Sequence, residues 1–242
     1  MNGLFTTLST LDQYVCLVCG YNMVGFFPAR CPFCGAERIN FITSEECSER
    51  FEVKEIPVST DVTRLNSYPS LGIEHAAYRI ETGDRIFMVD CPSSFDTSLK
   101  DIHIITFTHH HFLGASNLYR DHFDAQVRLH QKDSENTLCL GFTFDYLFEG
   151  SFVESALEAC HLDGHTLGFT AYIFKDHLFI CDYVFFKVKP MSFNPYGPEV
   201  ATRQGARDLI GILNDKDISV VCGYNYVCDY GEWIVEFKNL AQ

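Results

Sequence analysis

The chain is 242 residues long, 47% hydrophobic and 21% charged, with 18 basic against 32 acidic side chains and a net charge of −14. That length buries a sizeable core and fits one large domain plus a small appendage, and the near-average composition excludes a disordered or low-complexity chain. The negative balance repels phosphate backbones and anionic lipid, which argues against nucleic acid or a membrane surface as partner.

The first residues, "MNGLFTTLSTLDQ", lack the basic-then-apolar layout of a signal peptide, and no stretch reaches the roughly 20 apolar residues that cross a bilayer. A cytoplasmic protein with no membrane insertion is expected, its oligomeric state left open. Two paired-thiol loops follow, Cys16-x-x-Cys19-Gly and Cys31-Pro-x-Cys34-Gly, eleven residues apart. Each pair presents two sulfurs from one tight turn, and the glycine after it lets backbone amides point at sulfur and offset thiolate charge. Four thiolates make a closed tetrahedral site for zinc or iron. Over about residues 14 to 41 the stretch resembles a rubredoxin-like knuckle with a shortened insert, in which iron would mean electron transfer and zinc scaffolding. So short a segment has little core, so metal binding is expected to supply much of its folding free energy. The other cysteines (Cys47, Cys91, Cys139, Cys160, Cys181, Cys222 and Cys228) follow no spacing and mostly lie in apolar surroundings, where they read as small core residues. The polar run at 43 to 55 reads as a linker, dividing a rubredoxin-like, four-cysteine metal-binding domain over 1–45 from a main domain over 46–242.

Beyond it, "HAAYRIETGDRIFMVD" predicts two strands about a turn at Gly83 and Asp84. "IHIITFT" at 102–108 predicts a buried strand, 114–124 a helix with Leu118 and Phe123 inward, and 125–130 a further strand. "TAYIFKDHLFICDYVFF" predicts a hairpin turning at Lys175 and Asp176, followed by a helix over 202–215 and a strand at "ISVVCGY". Strand-rich halves each followed by helix imply a layered α/β architecture. Many of the 22 phenylalanines crowd 141–152 and 182–197; core packing accounts for most of them, and some are candidates to wall an apolar pocket.

The segments "DCP" at 90–92, "TFTHHH" at 106–111, "GHTLGF" at 164–169, "FICDYVF" at 179–185 and "VVCGYN" at 220–225 together resemble the metallo-β-lactamase superfamily in order and approximate spacing. The resemblance implies an αββα sandwich with metal loops at one edge of its sheets. By position, His109, His111 and His165 take metal-ligand places, and Asp182 takes that of the carboxylate that bridges two ions. Leu113 and Gly114 stand where the family has aspartate and histidine, and Tyr224 where it has a final histidine. One zinc or iron ion with an open coordination position is therefore expected. His110 should face away as a packing or supporting residue, and His161 is a candidate supporting partner. His75, His103, His122, His130 and His177 read as ordinary histidines.

The function this implies is hydrolysis of a small-molecule ester, thioester or lactone, the substrate including an apolar or aromatic group, with Asp182 or a supporting histidine accepting a proton and Tyr224 a candidate hydrogen-bond donor. Two alternatives stand beside it. One is a redox protein pairing rubredoxin-type iron with a mononuclear iron site; the other is a binding or regulatory protein that has lost catalysis.

Overall fold

A computed structural model describes residues 12–187 and 190–242. Most of the N-terminal segment read for a targeting signal lies outside these residues. Among the described residues, no helix is long and apolar enough to cross a membrane.

The knuckle is built on a three-stranded antiparallel sheet of β1 (Gln13–Cys16), β2 (Asn22–Val24) and β3 (Phe41–Thr43), in the order β2-β1-β3. The run that reads as a linker is ordered. Thr43 accepts from the Glu46 amide while the Glu46 side chain accepts from the Thr43 amide, a reciprocal cap that starts helix α1 (Ser44–Arg50). Glu45 and Glu46 in the first turn and Arg50 in the last complement the helix dipole. Polar composition marks a surface helix here, not a flexible tether.

From α1 the chain enters a seven-stranded sheet. Its antiparallel half is β4 (Glu52–Pro57), β5 (Val62–Tyr68), β6 (Ala77–Glu81) and β7 (Ile86–Val89). Its parallel half continues with β8 (Ile104–Thr106), helix α2 (Ser116–Phe123), β9 (Gln126–His130), the short helix α3 (Gln131–Ser134) and β10 (Tyr146–Phe148). The hairpin about Gly83 and Asp84 forms as predicted. In α2 the fully buried residues are Ser116 and Tyr119, the Tyr119 hydroxyl donating to Ser94 O, while Leu118 and Phe123 pack half-buried against the same core.

The second sheet has six strands. They are β11 (Phe152–Glu154), β12 (Leu157–His161), β13 (Thr170–Phe174), β14 (His177–Cys181), and, after the small ribbon β15 (Val184–Phe185) and β16 (Ser192–Phe193) and helix α4 (Glu199–Leu213), β17 (Val220–Gly223) and β18 (Val227–Asp229). Helix α5 (Tyr230–Leu240) closes the chain.

Strand β13 shows why the layers stack. Tyr172 and Phe174 point into a core shared with Tyr78, Ile80 and Phe87 of the first sheet. Ala171 and Ile173 point the other way, against Ala206 and Leu209 of α4 and Trp233 of α5. A strand buried on both faces is apolar at every position, as "TAYIF" nearly is. Tyr119 of α2 covers the outer face of the first sheet alongside Met88, Ile105 and Val127. The order is helix, sheet, sheet, helix. The ends of β7, β8, β14 and β17, together with the chain entering β6, then lie along one rim.

Candidate metal centre

Four donor atoms converge at that rim. Residues 109–111 follow β8, His165 sits in the loop between β12 and β13, and Asp182 follows β14. One ligand atom from each of His109, His111, His165 and Asp182 lies within 4.8 Å of all the others. His109 Nε2 is 3.3 Å and His165 Nε2 3.6 Å from Asp182 Oδ1, and His165 Nε2 is 3.2 Å from His111 Nδ1. His109 Nε2 and Asp182 Oδ1 are buried and have no hydrogen-bond partner among the described residues. An orphaned buried polar atom costs about 1–3 kcal/mol, which a cation placed between these donors removes. The donor set, three imidazole nitrogens and a carboxylate oxygen, fits zinc or iron.

The residues behind the donors fix them. Asp90, at the end of β7, accepts from the Thr108 amide and hydroxyl at 2.9 Å, and Thr108 Oγ1 lies 2.9 Å from His109 Nδ1. That contact leaves Nε2 facing the cluster. His110 turns away, as expected, with Nδ1 3.1 Å from Asp133 Oδ2. Asp133 also accepts from the His110 amide, the Thr166 hydroxyl and the Gly168 amide, so one buried carboxylate ties both histidine loops together. Asn194 Nδ2 donates to Asp182 Oδ2 at 2.7 Å and lies 3.5 Å from His165 Nε2. His161 stacks on His130 and contacts Leu167 O, bracing the His165 loop from outside. Asp90, Asp133 and Asn194 carry no spacing signal, although Asp90 opens the "DCP" segment. Asp133→Asn is expected to leave the fold intact while weakening metal affinity about 10- to 100-fold, measured by competition with a chromogenic chelator.

The family positions that differ here have structural occupations. Leu113 is buried in the core beneath α2. Gly114 has φ +52, and a Cβ on it would lie 2.3 Å from Cys91 O and 2.4 Å from Pro92 O. Only glycine fits there. Tyr224 lies outside the four-donor cluster; its ring is 5.3 Å from that of His75 and it lines an adjoining cleft.

Burial shapes the electrostatics first. It holds His109 and His75 well below the ordinary imidazole range, and His111 and His165 down to about 3 and about 4, with further lowering by neighbouring imidazoles. It pushes Asp90 up to about 7, and Asp182 to about 7 with help from the Asp90 charge. Neutral imidazoles are competent ligands. These shifts set how the metal-free fold responds to pH. The unfolded histidines take up protons near their ordinary 6.5 and the folded ones resist, so stability falls as pH drops from 6.5 toward about 4. The two carboxylates act oppositely, since the folded state binds their protons more tightly from about 7 down to the ordinary 3.8. Four histidines outweigh two carboxylates. The thermal midpoint of metal-free protein should therefore peak near pH 6.5 and fall on the acid side, and saturating zinc should raise it most at neutral pH.

The thiols also assemble. Cys16 Sγ is 3.7 Å from Cys34 Sγ and Cys19 Sγ 3.7 Å from Cys31 Sγ, all four within 4.8 Å of one another. Gly20 and Gly35 take positive φ as each turn closes, and the Tyr21 amide points at Cys19 Sγ at 3.5 Å. The hydrogen bonds among the thiols lower Cys16 while raising Cys19 and Cys31, so the cluster's suitability for a cation rests on the convergence of four sulfurs. The knuckle borders the histidine cluster. Pro32, Phe33 and Cys34 share a cavity of about 460 Å³ with His111, Asp182 and Asn194. The Phe33 ring is 5.6 Å from that of His111 and 5.3 Å from that of Phe112.

No family model and no curated protein matches the sequence. Solved structures do match the fold. A metallo-β-lactamase from Pontibacter korlensis is 14% identical with a TM-score of 0.64, the match covering 79% of this chain and 99% of that one. The DIM-1 metallo-β-lactamase is 13% identical at 0.64, covering 78% and 97%. An enzyme of the same kind from Hirschia baltica is 14% identical at 0.61, covering 78% and 96%. The chain has the metallo-β-lactamase fold, preceded by a four-cysteine cluster.

Proposed function

We propose that this protein is a metal-dependent hydrolase of a small-molecule ester, thioester or lactone, with zinc or iron held by His109, His111, His165 and Asp182. The observation that carries the proposal is the convergence of those four donors, two of them buried and without a hydrogen-bond partner among the described residues, with His111 and Asp182 lining an open cavity. The cation would polarise a carbonyl oxygen and acidify a water. The remaining work belongs to the chain. Thr108 and Asp90 keep His109 aimed inward, Asn194 orients Asp182, and Asp182, the one carboxylate of the cluster, receives the proton released as the carbonyl is attacked. Tyr224 borders the neighbouring cleft and is assigned no step.

The cavity wall suggests what the substrate carries. Phe33, Phe112, Leu138, Phe185 and Tyr196 present an apolar, largely aromatic lining opposite the donors, suited to a flat apolar group. Screening aryl esters, acyl thioesters and lactones should find turnover that a chelator abolishes and added zinc or iron(II) restores. For an aromatic substrate, Phe33→Ala should raise KM about tenfold, equivalent to about 1.4 kcal/mol of contact, and leave kcat nearly unchanged. A fully metal-loaded protein that hydrolyses none of these compounds would refute the proposal.

One observation favours a redox reading as second choice. Cys34 of the thiol cluster and His111 line the same cavity, so iron in both clusters would place two redox centres beside one substrate space. A visible sulfur-to-iron absorption that bleaches on reduction would support it; stoichiometric zinc in the knuckle would exclude it.

A further inference from the structure

Cys181 and Asp182 are neighbours in the chain, and in a regular strand their side chains would face opposite sides. Both instead serve one cluster. The pairing of β14 with β17 shifts register between Phe179 and Cys181, and Cys181 has φ +43, a left-handed conformation that a cysteine adopts only where its surroundings enforce it. The bulge swings both side chains to the rim, where His75 meets them from the other sheet.

The loop that carries His75 is pinned on two sides. The adjacent Glu74 carboxylate accepts from the Ser67 amide and hydroxyl at 2.7 Å and from the Ser93 amide at 2.5 Å. On the far side the Ala76 amide donates to Tyr224 O at 2.5 Å. His75 Nδ1 is then 3.4 Å from Cys181 Sγ, and Nε2 is 3.8 Å from Asp182 Oδ2. All three residues are buried, and one donor atom from each lies within 4.8 Å of the other two.

We infer that His75, Cys181 and Asp182 form a second cation subsite beside the histidine cluster. Asp182 is common to both, with Oδ1 toward His109 and His165 and Oδ2 toward His75. The inference rests on Asp182 as a metal ligand, the reading made above. Leu113, Gly114 and the Tyr224 side chain supply no donor to it, so the positions that depart from the family pattern do not leave this side of Asp182 without donors. One thiolate, one imidazole and one carboxylate suit zinc or iron(II) and leave a position open. On binding, the Cys181 thiol gives its proton to solvent and no redox change occurs.

The test is a metal count on the full chain, saturated with zinc, freed of excess by gel filtration and measured by mass spectrometry. The wild type should hold three equivalents, one in the knuckle and two at the rim. His75→Asn and Cys181→Ser should each hold two, with Cys181→Ala as the alternative should serine disturb the fold. Cobalt loading gives a second readout, because Cys181→Ser should lose part of the thiolate-to-cobalt absorption while the knuckle's share stays. Two equivalents in wild type and in every variant, or a cobalt spectrum unchanged by Cys181→Ser, would overturn the subsite. Either result leaves the hydrolase reading to its own test, since turnover that depends on His109 needs neither His75 nor Cys181.

Discussion

His109→Ala is expected to remove at least one metal equivalent and lower kcat/KM on any hydrolysed ester by about 10³-fold or more. His109 is fully buried, its Nε2 lies 3.3 Å from Asp182 Oδ1, and among the described residues no hydrogen bond satisfies that nitrogen. Its loss therefore removes a ligand whose geometry nothing nearby can replace. A catalytic cation contributes several kcal/mol of charge stabilisation, and each 1.36 kcal/mol is a factor of ten, which gives roughly three decades. In the metal-free state the alanine relieves the buried Nε2 but forfeits the Nδ1 contact with Thr108 and leaves a cavity. The readout is therefore the gain from zinc, which should be smaller for His109→Ala than for wild type. Differential scanning calorimetry with and without zinc measures it. Equal metal content and turnover in variant and wild type would remove His109 from the site.

The second large effect concerns the knuckle. Cys19→Ser should release its metal, lower the stability of the whole chain by about 5 kcal/mol, and weaken substrate binding more than metal binding at the rim. Cys16, Cys19, Tyr21, Met23 and Cys31 form one small buried cluster in which the thiols supply much of the mass. Without the cation little holds that cluster, and exposing Tyr21 and Met23 alone forfeits about 1.5–3 kcal/mol each. The knuckle is also docked. Tyr21 donates to Leu138 O at 2.8 Å and Asn22 to Ser93 O at 3.2 Å, and a Cβ on Gly72 would lie 2.5 Å from Val18 O. Unfolding it removes Pro32, Phe33 and Cys34 from the cavity wall while leaving His109, His111, His165 and Asp182 on the sandwich. The expected signature is a raised KM with the rim's metal retained. Loss of both metals together would show instead that the two sites fold as one.

The four thiols and the pair His109 and His111 are legible in the sequence as short spacings that local geometry enforces, whereas His165 and Asp182 are legible only through the resemblance to the metallo-β-lactamase pattern. Thiols two residues apart share a turn, and His109 and His111 share a strand-end loop. The supporting residues are not legible. Asp133, Asn194 and His75 are single residues of ordinary type, and only the topology of two sheets meeting at a rim brings them to the ligands. His75 and Cys181 read in sequence as a plain histidine and a core cysteine, and both are buried; the bulge at the end of β14 that gathers them has no sequence signature. The helix at 44–50 is legible in principle, since Thr43-x-x-Glu46 is a capping box, but polar composition outweighs it. The two departures at 113 and 114 are visible as departures, while their cause, a buried leucine and a glycine pressed against Cys91 and Pro92, requires coordinates.

Anomalous diffraction from crystals of the full chain grown with zinc, recorded on both sides of the zinc edge, addresses the metal centre directly, with the knuckle as internal reference. A peak bounded by His109 Nε2, His111 Nδ1, His165 Nε2 and Asp182 Oδ1 is the expected result. A strong peak among the four cysteines with none at the histidines would contradict it.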